Sequence, residues 1–242
     1  MILKNYFLLL LIKVLEKIKK GYNFRRNFYT TERILIKNYP LKKEISFIQI
    51  GANDGKSFDF LYDFLVYRKP KGVVIEPIKE YYDELCLNYN NFEKIIKINK
   101  AVHETLKKVI VYKVRKDSFV KYPEWVKGIA SFDKTHLTKF DFIENDDILS
   151  ETVDADHFMN IINDCFFDRK VDYVQIDTEG YDYHILKMID FKKLDISIIK
   201  LEFVNLSKNE KLNSKAILKE NGFYTFVEGI DLIGVNLKKI SF

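Results

Sequence analysis

The sequence has few of the residues that cross-link or interrupt a chain. Its 242 residues include two cysteines and nine glycines, whereas average usage would give roughly 17 glycines. Two cysteines in a chain of this length exclude a disulfide-stabilised module. No apolar run reaches the roughly 18 residues that span a bilayer as a helix. No repeat, low-complexity tract or Pro/Gly-rich linker is visible. The remaining composition, 47% hydrophobic and 31% charged, is that of a globular protein with its own core.

Positive charge is concentrated at the N-terminus. Residues 1–43 hold eleven Lys and Arg against two Glu, whereas the remainder holds 29 basic and 33 acidic residues. A nucleic-acid-binding domain spreads its basic residues over one face of the fold, so we expect no nucleic-acid partner. We therefore divide the chain into an N-terminal basic helical arm, residues 1–43, and a folded domain, residues 44–242.

The arm begins with a short apolar run, Tyr6–Ile12. Lys13 interrupts this run and no small-residue cleavage site follows, so we reject a secretory signal and expect a cytoplasmic protein. Apolar residues recur at helical spacing over Leu3–Lys20, and Gly21 is suited to end a helix. Two roles stay open for this helix: packing on the domain or on a second subunit, or contact with an anionic membrane surface.

Short apolar runs alternate with helical stretches along the domain, which is typical of a parallel sheet with helices on both faces. The predicted strands are Ile45–Ile50, Gly72–Ile75, Ile95–Ile98, Val109–Val114, Val171–Ile176 and Ile196–Phe203. The predicted helices are Phe58–Val66, Ile78–Tyr89, His157–Phe166 and Asp182–Ile189. Two further runs flank Gly229 and predict a hairpin, namely Phe223–Val227 and Leu232–Leu237. The sequence thus predicts a doubly wound, mostly parallel α/β sheet that ends in an antiparallel hairpin.

One stretch breaks the alternation. Residues 112–140 are irregular and rich in aromatic side chains, and residues 141–156 hold seven acids and no base. We interpret residues 112–156 as an insertion or lid over the site, with a solvated loop in its second part.

The first predicted strand runs into a glycine-containing turn, Gly51–Gly55. Such a turn lets the backbone approach a nucleotide closely, and the next strand ends in Glu76, which can accept both hydroxyls of a ribose. Three residues separate the two glycines where a P-loop needs four, and Asn53 stands where a dinucleotide dehydrogenase has glycine. Turn and acid together indicate an adenosine-containing ligand without a pyrophosphate.

Carboxylates gather where two later strands end. Asp177 and Glu179 follow one buried strand, and Glu202 ends the next. In open α/β sheets this edge is where ligands bind. The acids could act as a general base, hold an ammonium group, or bind Mg²⁺ through hard oxygen ligands. The structural alternative is a helix N-cap by Asp177 or Thr178, with Glu179 near the positive end of the helix dipole.

The order of five motifs resembles the FkbM-type S-adenosylmethionine-dependent methyltransferases. The motifs are IQIGANDG, IEP, ASF, QIDTEGYDYHIL and IKLEF, and the resemblance covers roughly residues 45–237. It implies a class I methyltransferase fold, a seven-stranded Rossmann-like sheet with its last strand antiparallel. It also implies S-adenosylmethionine as cofactor and transfer of the methyl group to an oxygen. One departure is Gln49, where many members place Asp.

The resemblance assigns roles to individual residues. The set implied around the cofactor comprises Gln49, Gly51, Asn53, Asp54 and Gly55 at the methionine part, Glu76 and Pro77 at ribose and adenine, and Ala130, Ser131 and Phe132 as a cover. Because Gln49 offers no charge to the cofactor's ammonium group, Asp54 or an acid of the Asp177 cluster takes that role. Asp177 and Glu179 face the transferred methyl.

Methyl transfer to oxygen needs a base, because a neutral alcohol is a poor nucleophile. The candidates are Asp177, Glu179, His136 and His184, and Asp177 ranks first since it ends a buried strand. We expect O-methylation of a sugar hydroxyl, on a nucleotide- or lipid-linked sugar of a surface polysaccharide. The alternatives are a methyltransferase for a non-sugar small molecule and a cofactor-binding partner subunit without turnover.

Overall fold

A parallel sheet forms the centre of the protein. The computed structural model describes residues 2–17, 30–166 and 169–241. The strands are β1 (Glu44–Ile50), β2 (Lys69–Ile75), β3 (Ile95–Ile98), β4 (Ala101–Val102), β5 (Lys108–Val114), β6 (Ala130–Ser131), β7 (Ile148–Asp156), β8 (Lys170–Ile176), β9 (Asp195–Glu202), β10 (Phe223–Glu228) and β11 (Asp231–Asn236). Within the described residues, seven of them form one sheet in the order β10-β11-β9-β8-β1-β2-β3.

Helices cover both faces of this sheet. They are α1 (Ile2–Lys17), α2 (Thr31–Asn38), α3 (Leu61–Val66), α4 (Lys79–Asn88), α5 (Thr135–Thr138), α6 (Phe158–Cys165), α7 (Asp182–Met188) and α8 (Lys208–Glu220). Alternate residues of β1 enter two different apolar cores: Ile48 and Ile50 pack with α6 and α7, whereas Ile45 and Phe47 pack with α2, α3 and α4. A strand buried on both faces is mostly apolar, and in the buried part of β1 the polar residues are Ser46 and Gln49.

The predicted fold class is confirmed. β1 pairs in parallel with β2 and β8, and β8 pairs in parallel with β9. The C-terminal hairpin turns at Gly229, whose φ of 61° is easily adopted by glycine. Its second strand, β11, inserts antiparallel between β10 and β9. The predicted helices of the domain also form, with ends displaced by a few residues.

The prediction was wrong for parts of residues 108–156. Val109–Val114 was expected in the parallel sheet, but β5 pairs antiparallel with β7 in a separate sheet of order β4-β7-β5-β6. Residues 148–156 were expected to be a solvated loop and instead form β7. In β7, Val153 and Ala155 are buried while acids such as Asp154 face outward. The many acids hid this alternation, which is typical of a strand with one buried face.

The N-terminal arm contributes α1. The predicted end at Gly21 lies outside the described residues, as does Lys20. Asn5 is fully buried, and its side-chain amide donates to the carbonyl oxygens of Leu237 (3.0 Å) and Ile240 (2.6 Å) beyond the end of β11. Among the helices that the structure describes, none is long and apolar enough to cross a membrane.

Two adjacent strand ends meet at Gly51. Its backbone N–H donates to the Ile75 carbonyl (3.0 Å), and the neighbouring Ile50 carbonyl accepts from the Asp177 N–H (3.0 Å). Gly51 has φ 74°, and a Cβ atom there would lie 1.7 Å from the carbonyl oxygen of Asp177. No side chain fits between the ends of β1 and β8, so this position requires glycine for space as well as for its backbone angle.

We expect Gly51→Ala to lower the free energy of unfolding by roughly 3 kcal/mol or more, because both strand ends must move apart. The matched control is Gly229→Ala. Gly229 has a similar φ, but a Cβ there meets nothing within 4 Å, so only the left-handed backbone cost of about 1–2 kcal/mol applies. Urea denaturation of both variants measures the two losses in the free energy of unfolding. Equal losses would contradict the steric argument.

Candidate functional site

A crevice opens where the parallel strands of the large sheet end. The chain leaves β1 toward β2 and β3 on one side and later returns to β8 and β9 on the other. Open α/β sheets bind ligands at such a switch point. Two of the cavities in this crevice adjoin at the ends of β1 and β8. The residues that line both are Gly51, Asn53, Gly128, Asp177 and Glu179.

The two cavities differ in size and lining. The narrow cavity, about 60 Å³, reaches the end of β2 and is also lined by Glu76, Pro77, Ala130 and Phe132. The wide cavity, about 590 Å³, reaches the end of β9 and is also lined by Gln49, Asp59, Trp125, His136 and Asn205. A ligand with one end in the narrow cavity can therefore cross Gly51 into the wide cavity. The wide cavity also has room for a second ligand.

Glu76 forms the polar end of the narrow cavity. The side chain is 4% exposed, and its two oxygens accept from the backbone N–H groups of Asn53 (2.8 Å) and Ile78 (2.9 Å). Burial raises the pKa of Glu76 to about 7, although both N–H bonds oppose the shift. Each carboxylate oxygen can accept a second hydrogen bond, so Glu76 keeps capacity for a ligand with two hydroxyl groups.

The loop after β1 is stabilised by hydrogen bonds between its own side chains and its backbone. Asn53 adopts φ 49°, and its side-chain oxygen accepts from the Asp54 N–H (2.7 Å). Oδ1 of Asp54 accepts from the N–H groups of Lys56 and Ser57, both at 2.8 Å. A Cβ atom on Gly55 would lie 2.4 Å from Leu85 and from Tyr89. The carboxylate of Asp54 thus serves the turn, although the residue also lines the wide cavity.

Asp59 connects the ends of β1 and β8. Its Oδ2 accepts from the side-chain amides of Gln49 (3.3 Å) and Gln175, and its Oδ1 accepts from the Leu61 N–H (3.0 Å) at the start of α3. The Tyr173 hydroxyl donates to Oε1 of Gln175 (2.7 Å). In contrast, Oε1 of Gln49 is buried and has no hydrogen-bond partner.

The acids predicted at the strand ends do come together. One carboxylate oxygen each of Asp177, Glu179 and Glu202 lies within 4.8 Å of the others. The side-chain amide of Asn205 donates to Glu202 (2.8 Å) and to Glu179 (3.1 Å) and so bridges the two carboxylates. Oε2 of Glu202 is buried without a partner.

The crevice raises the pKa values of two of these acids. Asp177 is exposed to the crevice, but protein surrounds the crevice on most sides. Desolvation raises the pKa of Asp177, and the carboxylates of Asp182, Glu202 and Glu179 raise it further. Burial, followed by the charge of Glu179, raises the pKa of Glu202 to about 8. Both groups therefore hold protons more tightly than an ordinary carboxyl.

His136 pairs with Glu179. Its Nε2 lies 2.7 Å from Oε2 of Glu179, while Nζ of Lys139 lies 3.2 Å from Nδ1 and donates to Oδ1 of Asn205 (2.9 Å). Nζ also lies 3.4 Å from Nε2, so the ammonium group sits over the ring. A carboxylate can only accept, so Nε2 carries the proton that it donates to Glu179, and Nδ1 is the basic nitrogen. Glu179 has φ 52°, and Ser131 Oγ donates to its carbonyl oxygen (2.9 Å). Strained non-glycine backbone of this kind concentrates at functional sites.

Not every predicted site residue reaches the crevice. His184 lies on the outer side of α7, with Nδ1 3.2 Å from Glu104 and its ring stacked 4.6 Å from that of Tyr181. The turn of α7 directs this ring away from both cavities, so His184 is not placed to act as the base. Ser131 directs its hydroxyl to the Glu179 backbone, while its neighbours Ala130 and Phe132 line the narrow cavity.

Sequence reasoning missed Asp59, Asn205, Lys139 and Trp125. Asn205 follows the end of β9, so the rule that directed attention to Glu202 could have included it. Asp59 precedes α3 by two residues, where an Asp is usually explained as a helix cap. Trp125 packs edge-on against Phe140 with ring centroids 5.1 Å apart, and both line the wide cavity. No sequence pattern indicated that these distant segments would meet.

The family model of the FkbM methyltransferase domain matches residues 49–223. None of the curated proteins compared with the chain by sequence matches it significantly.

Several solved structures are similar to this chain at low sequence identity. Methyltransferase FkbM from Methylobacillus flagellatus KT is 13% identical, with a TM-score of 0.47 over 79% of this chain and 43% of that chain. Precorrin-6y C5,15-methyltransferase from Geobacter metallireducens GS-15 is 10% identical, with a TM-score of 0.42 over 84% of each chain. TrmK of M. capricolum, solved with S-adenosyl-homocysteine, is 15% identical, with a TM-score of 0.35 over 89% of this chain and 71% of that chain.

We expect Glu76 to make the protein less stable as pH rises from about 4.5 to about 7. Burial raises the pKa of Glu76 from 4.5 to about 7, so the folded state retains a proton that the unfolded chain has already released. Its contribution to stability is therefore complete below pH 4.5 and is lost as pH passes 7. Chemical denaturation of wild type and Glu76→Gln at several pH values isolates this contribution from those of other acids. An unchanged pH slope in the variant would contradict the assignment.

Proposed function

Because this chain belongs to the FkbM methyltransferase family, we propose that it methylates a hydroxyl group of a carbohydrate. Membership makes the chain an S-adenosylmethionine-dependent methyltransferase with the class I fold. Oxygen as the methyl acceptor, and a sugar as its carrier, are our proposal. The observation that carries it is the His136–Glu179 pair, which can take a proton from a hydroxyl group at the junction of the two cavities.

The residues of the narrow cavity fit the cofactor. Glu76 has free acceptor capacity for the two ribose hydroxyls, and Pro77, Ala130 and Phe132 offer apolar surface to the adenine ring. Gly51 lines both cavities, so its backbone lies beside the part of the cofactor that continues into the wide cavity. When bound, S-adenosylmethionine supplies a methyl group that is already activated by its sulfonium charge.

The chain must then position an oxygen and remove its proton. Histidine is the commonest general base, and Glu179 fixes the His136 ring and stabilises its protonated form, as in other His–carboxylate pairs. In this proposal Nε2 keeps its proton and continues to donate it to Glu179, while Nδ1 receives the proton of the acceptor's hydroxyl group. The Lys139 ammonium, now 3.2 Å from Nδ1, is displaced and retains Oδ1 of Asn205 as its partner. Asp177 is the alternative base, since its carboxylate lines both cavities.

A divalent cation is the other role proposed for Asp177, Glu179 and Glu202. Their oxygen atoms are the ligands that Mg²⁺ prefers, and they lie close enough together. The hydrogen bonds of these acids favour a role in general base catalysis over a metal site. His136 already occupies Oε2 of Glu179, and the amide of Asn205 bridges the two glutamates in the way a cation would.

The wide cavity supports a carbohydrate acceptor. Its lining combines the rings of Phe58, Trp125 and Phe140 with polar side chains such as His136 and Asn205. An apolar ring face combined with a few fixed polar groups is how proteins orient a ligand of this kind. The same space also suits a non-sugar small molecule. A partner subunit that only holds the cofactor has no use for a cavity of about 590 Å³ beside it.

We expect His136→Asn to lower kcat by roughly 10²–10⁴, the usual contribution of general base catalysis. Affinity for S-adenosylhomocysteine should change little, because the partners of His136 are Glu179 and Lys139, which hold no part of the cofactor in this proposal. His184→Asn is the matched control and should retain the wild-type rate. Methyl transfer is measured with radiolabelled S-adenosylmethionine and sugar nucleotides.

Asp177→Asn and a chelator decide between the alternatives. A large loss of kcat in Asp177→Asn with a normal rate in His136→Asn would make Asp177 the base. Inhibition of wild type by a chelator, reversed by Mg²⁺, would make the acid cluster a metal site. A wild-type protein that binds the cofactor but methylates none of the acceptors would favour the partner-subunit alternative.

We also propose that α1 lies on an anionic membrane surface. Leu3, Phe7, Leu10 and Val14 share one face of α1 and are between 53% (Val14) and 88% (Leu3) exposed. The opposite face is held to the domain by Asn5 and Leu8. Residues 1–43 carry nine more positive than negative charges, which attracts acidic lipid. The other possible occupant of this face is a second copy of the chain.

We expect the protein to sediment with phosphatidylglycerol vesicles and much less with phosphatidylcholine vesicles. Phe7→Ser combined with Leu10→Ser should lower binding at least tenfold, because burying each side chain contributes about 1.5–3 kcal/mol. Leu212→Ser is the matched control, since Leu212 is equally exposed, at 60%, on the distant helix α8. A lipid-independent dimer that the double variant dissociates would instead assign this face to a second subunit.

A further inference from the structure

The end of β1 presents unused hydrogen-bond acceptors to the wide cavity. Oε1 of Gln49 is buried with no partner. The orientation of its amide is fixed, because reversal would turn this oxygen toward the carboxylate of Asp59, to which Nε2 now donates (3.3 Å). An unpaired buried acceptor costs stability, and a ligand that donates a hydrogen bond would remove this cost.

Asp59 places a negative charge beside this acceptor. Its carboxylate is bound by neutral donors only, from Gln49, Gln175 and Leu61. Among the described residues no Lys, Arg or His forms an ion pair with Asp59. The charge of Lys200 interacts with Asp59 through space, but its ammonium group pairs with Asp231 at 3.2 Å. A carboxylate offers about four lone-pair sites, so at least one remains after these three hydrogen bonds.

We infer that Asp59 and Gln49 together bind the positively charged amino group at the methionine end of the cofactor. This inference rests on the proposed function for the presence of the cofactor. With ribose at Glu76 in the narrow cavity, the methionine part must cross Gly51 and Asn53, which line both cavities. Gln49 lies two residues before Gly51 on the same strand end. An ammonium group has three donors, and Gln49 Oε1 and Asp59 supply two acceptors for them.

Asp54 is the rival acid of the same loop. Its oxygens accept from Lys56 and Ser57 within its own turn, so its carboxylate is used to hold the loop. Asp59, in contrast, is joined through the two glutamines to the buried ends of β1 and β8. The rigid position of Asp59 favours it, because a fixed carboxylate binds a cation without first having to be ordered.

Two ligands distinguish the binding of the cofactor's amino end from the binding of its adenosine end. S-adenosylhomocysteine carries the amino acid, whereas methylthioadenosine has the same adenosine and sulfur atom without it. Calorimetric titration of wild type with both ligands comes first. Failure of wild type to bind S-adenosylhomocysteine would contradict the proposed function itself and would leave no ligand for Asp59.

We expect Asp59→Asn to weaken S-adenosylhomocysteine binding roughly 10–100-fold, which corresponds to losing a hydrogen bond between charged groups. Methylthioadenosine affinity should stay at the wild-type value. Asn retains the acceptor for the Leu61 N–H, so the start of α3 should be kept, and thermal unfolding checks this. Asp63→Asn, an exposed acid on α3, makes the same change of charge and should bind both ligands as wild type does. Glu76→Ala should weaken both ligands.

Three results would overturn the inference. Unchanged S-adenosylhomocysteine affinity in Asp59→Asn would exclude an ionic contact with Asp59. An equal loss for both ligands would show that the substitution distorts the loop. A selective loss in Asp54→Asn but not in Asp59→Asn would transfer the role to Asp54. If Asp59→Asn fails to fold, Gln49→Met provides the second test. This variant removes the unpaired acceptor at similar volume and should weaken S-adenosylhomocysteine selectively.

Discussion

The contact between the backbones of Gly51 and Asp177 is the constraint on which the site depends. It brings the ends of β1 and β8 together so closely that a Cβ atom on Gly51 would lie 1.7 Å from the Asp177 carbonyl oxygen. From this point the loop after β1 turns toward Glu76, and the segment after β8 turns toward His136 and Asn205. Both cavities open from this junction, and the residues that line both of them surround it.

Three carboxylates around this junction, those of Glu76, Asp177 and Glu202, form no ion pair with Lys or Arg in the part of the chain that the structure describes. The charges of Lys113 and Lys200 reach Glu76 and Asp177 only through space. Burial raises the pKa values of Glu76, Asp177, Asp182 and Glu202. The hydrogen bonds made to Glu76 come from backbone N–H groups and those to Glu202 from an amide, not from Lys or Arg. Neutral donors stabilise a carboxylate without cancelling its charge. A crevice of this kind gains most from a ligand that brings positive charge, which both the sulfonium and the ammonium of S-adenosylmethionine do.

The sequence predicted those parts of the molecule that depend on local pattern. Apolar runs located β1, β2, β3, β8 and β9, and the rule that ligands bind beyond parallel strands placed Glu76, Asp177 and Glu202 at one edge. The sequence alone could not predict contacts between distant segments. His136 lies 43 residues before Glu179, and only the small sheet around β7 brings the two together. That sheet was missed because the acids of β7 concealed its alternation. Gln49 and Asp59 were likewise unrelated until the fold placed them side by side.

The position of α1 bears on how an acceptor arrives. β11 begins opposite Glu202 at the crevice and runs antiparallel to β9, so the carbonyl groups of Leu237 and Ile240, which hold Asn5, lie at the other edge of the sheet. Six residues of strand separate the two edges by roughly 20 Å. A protein lying on a lipid surface through α1 would turn its crevice toward the water. An acceptor carried on a soluble nucleotide could enter directly, whereas a sugar anchored in that same surface would have to reach around the whole sheet.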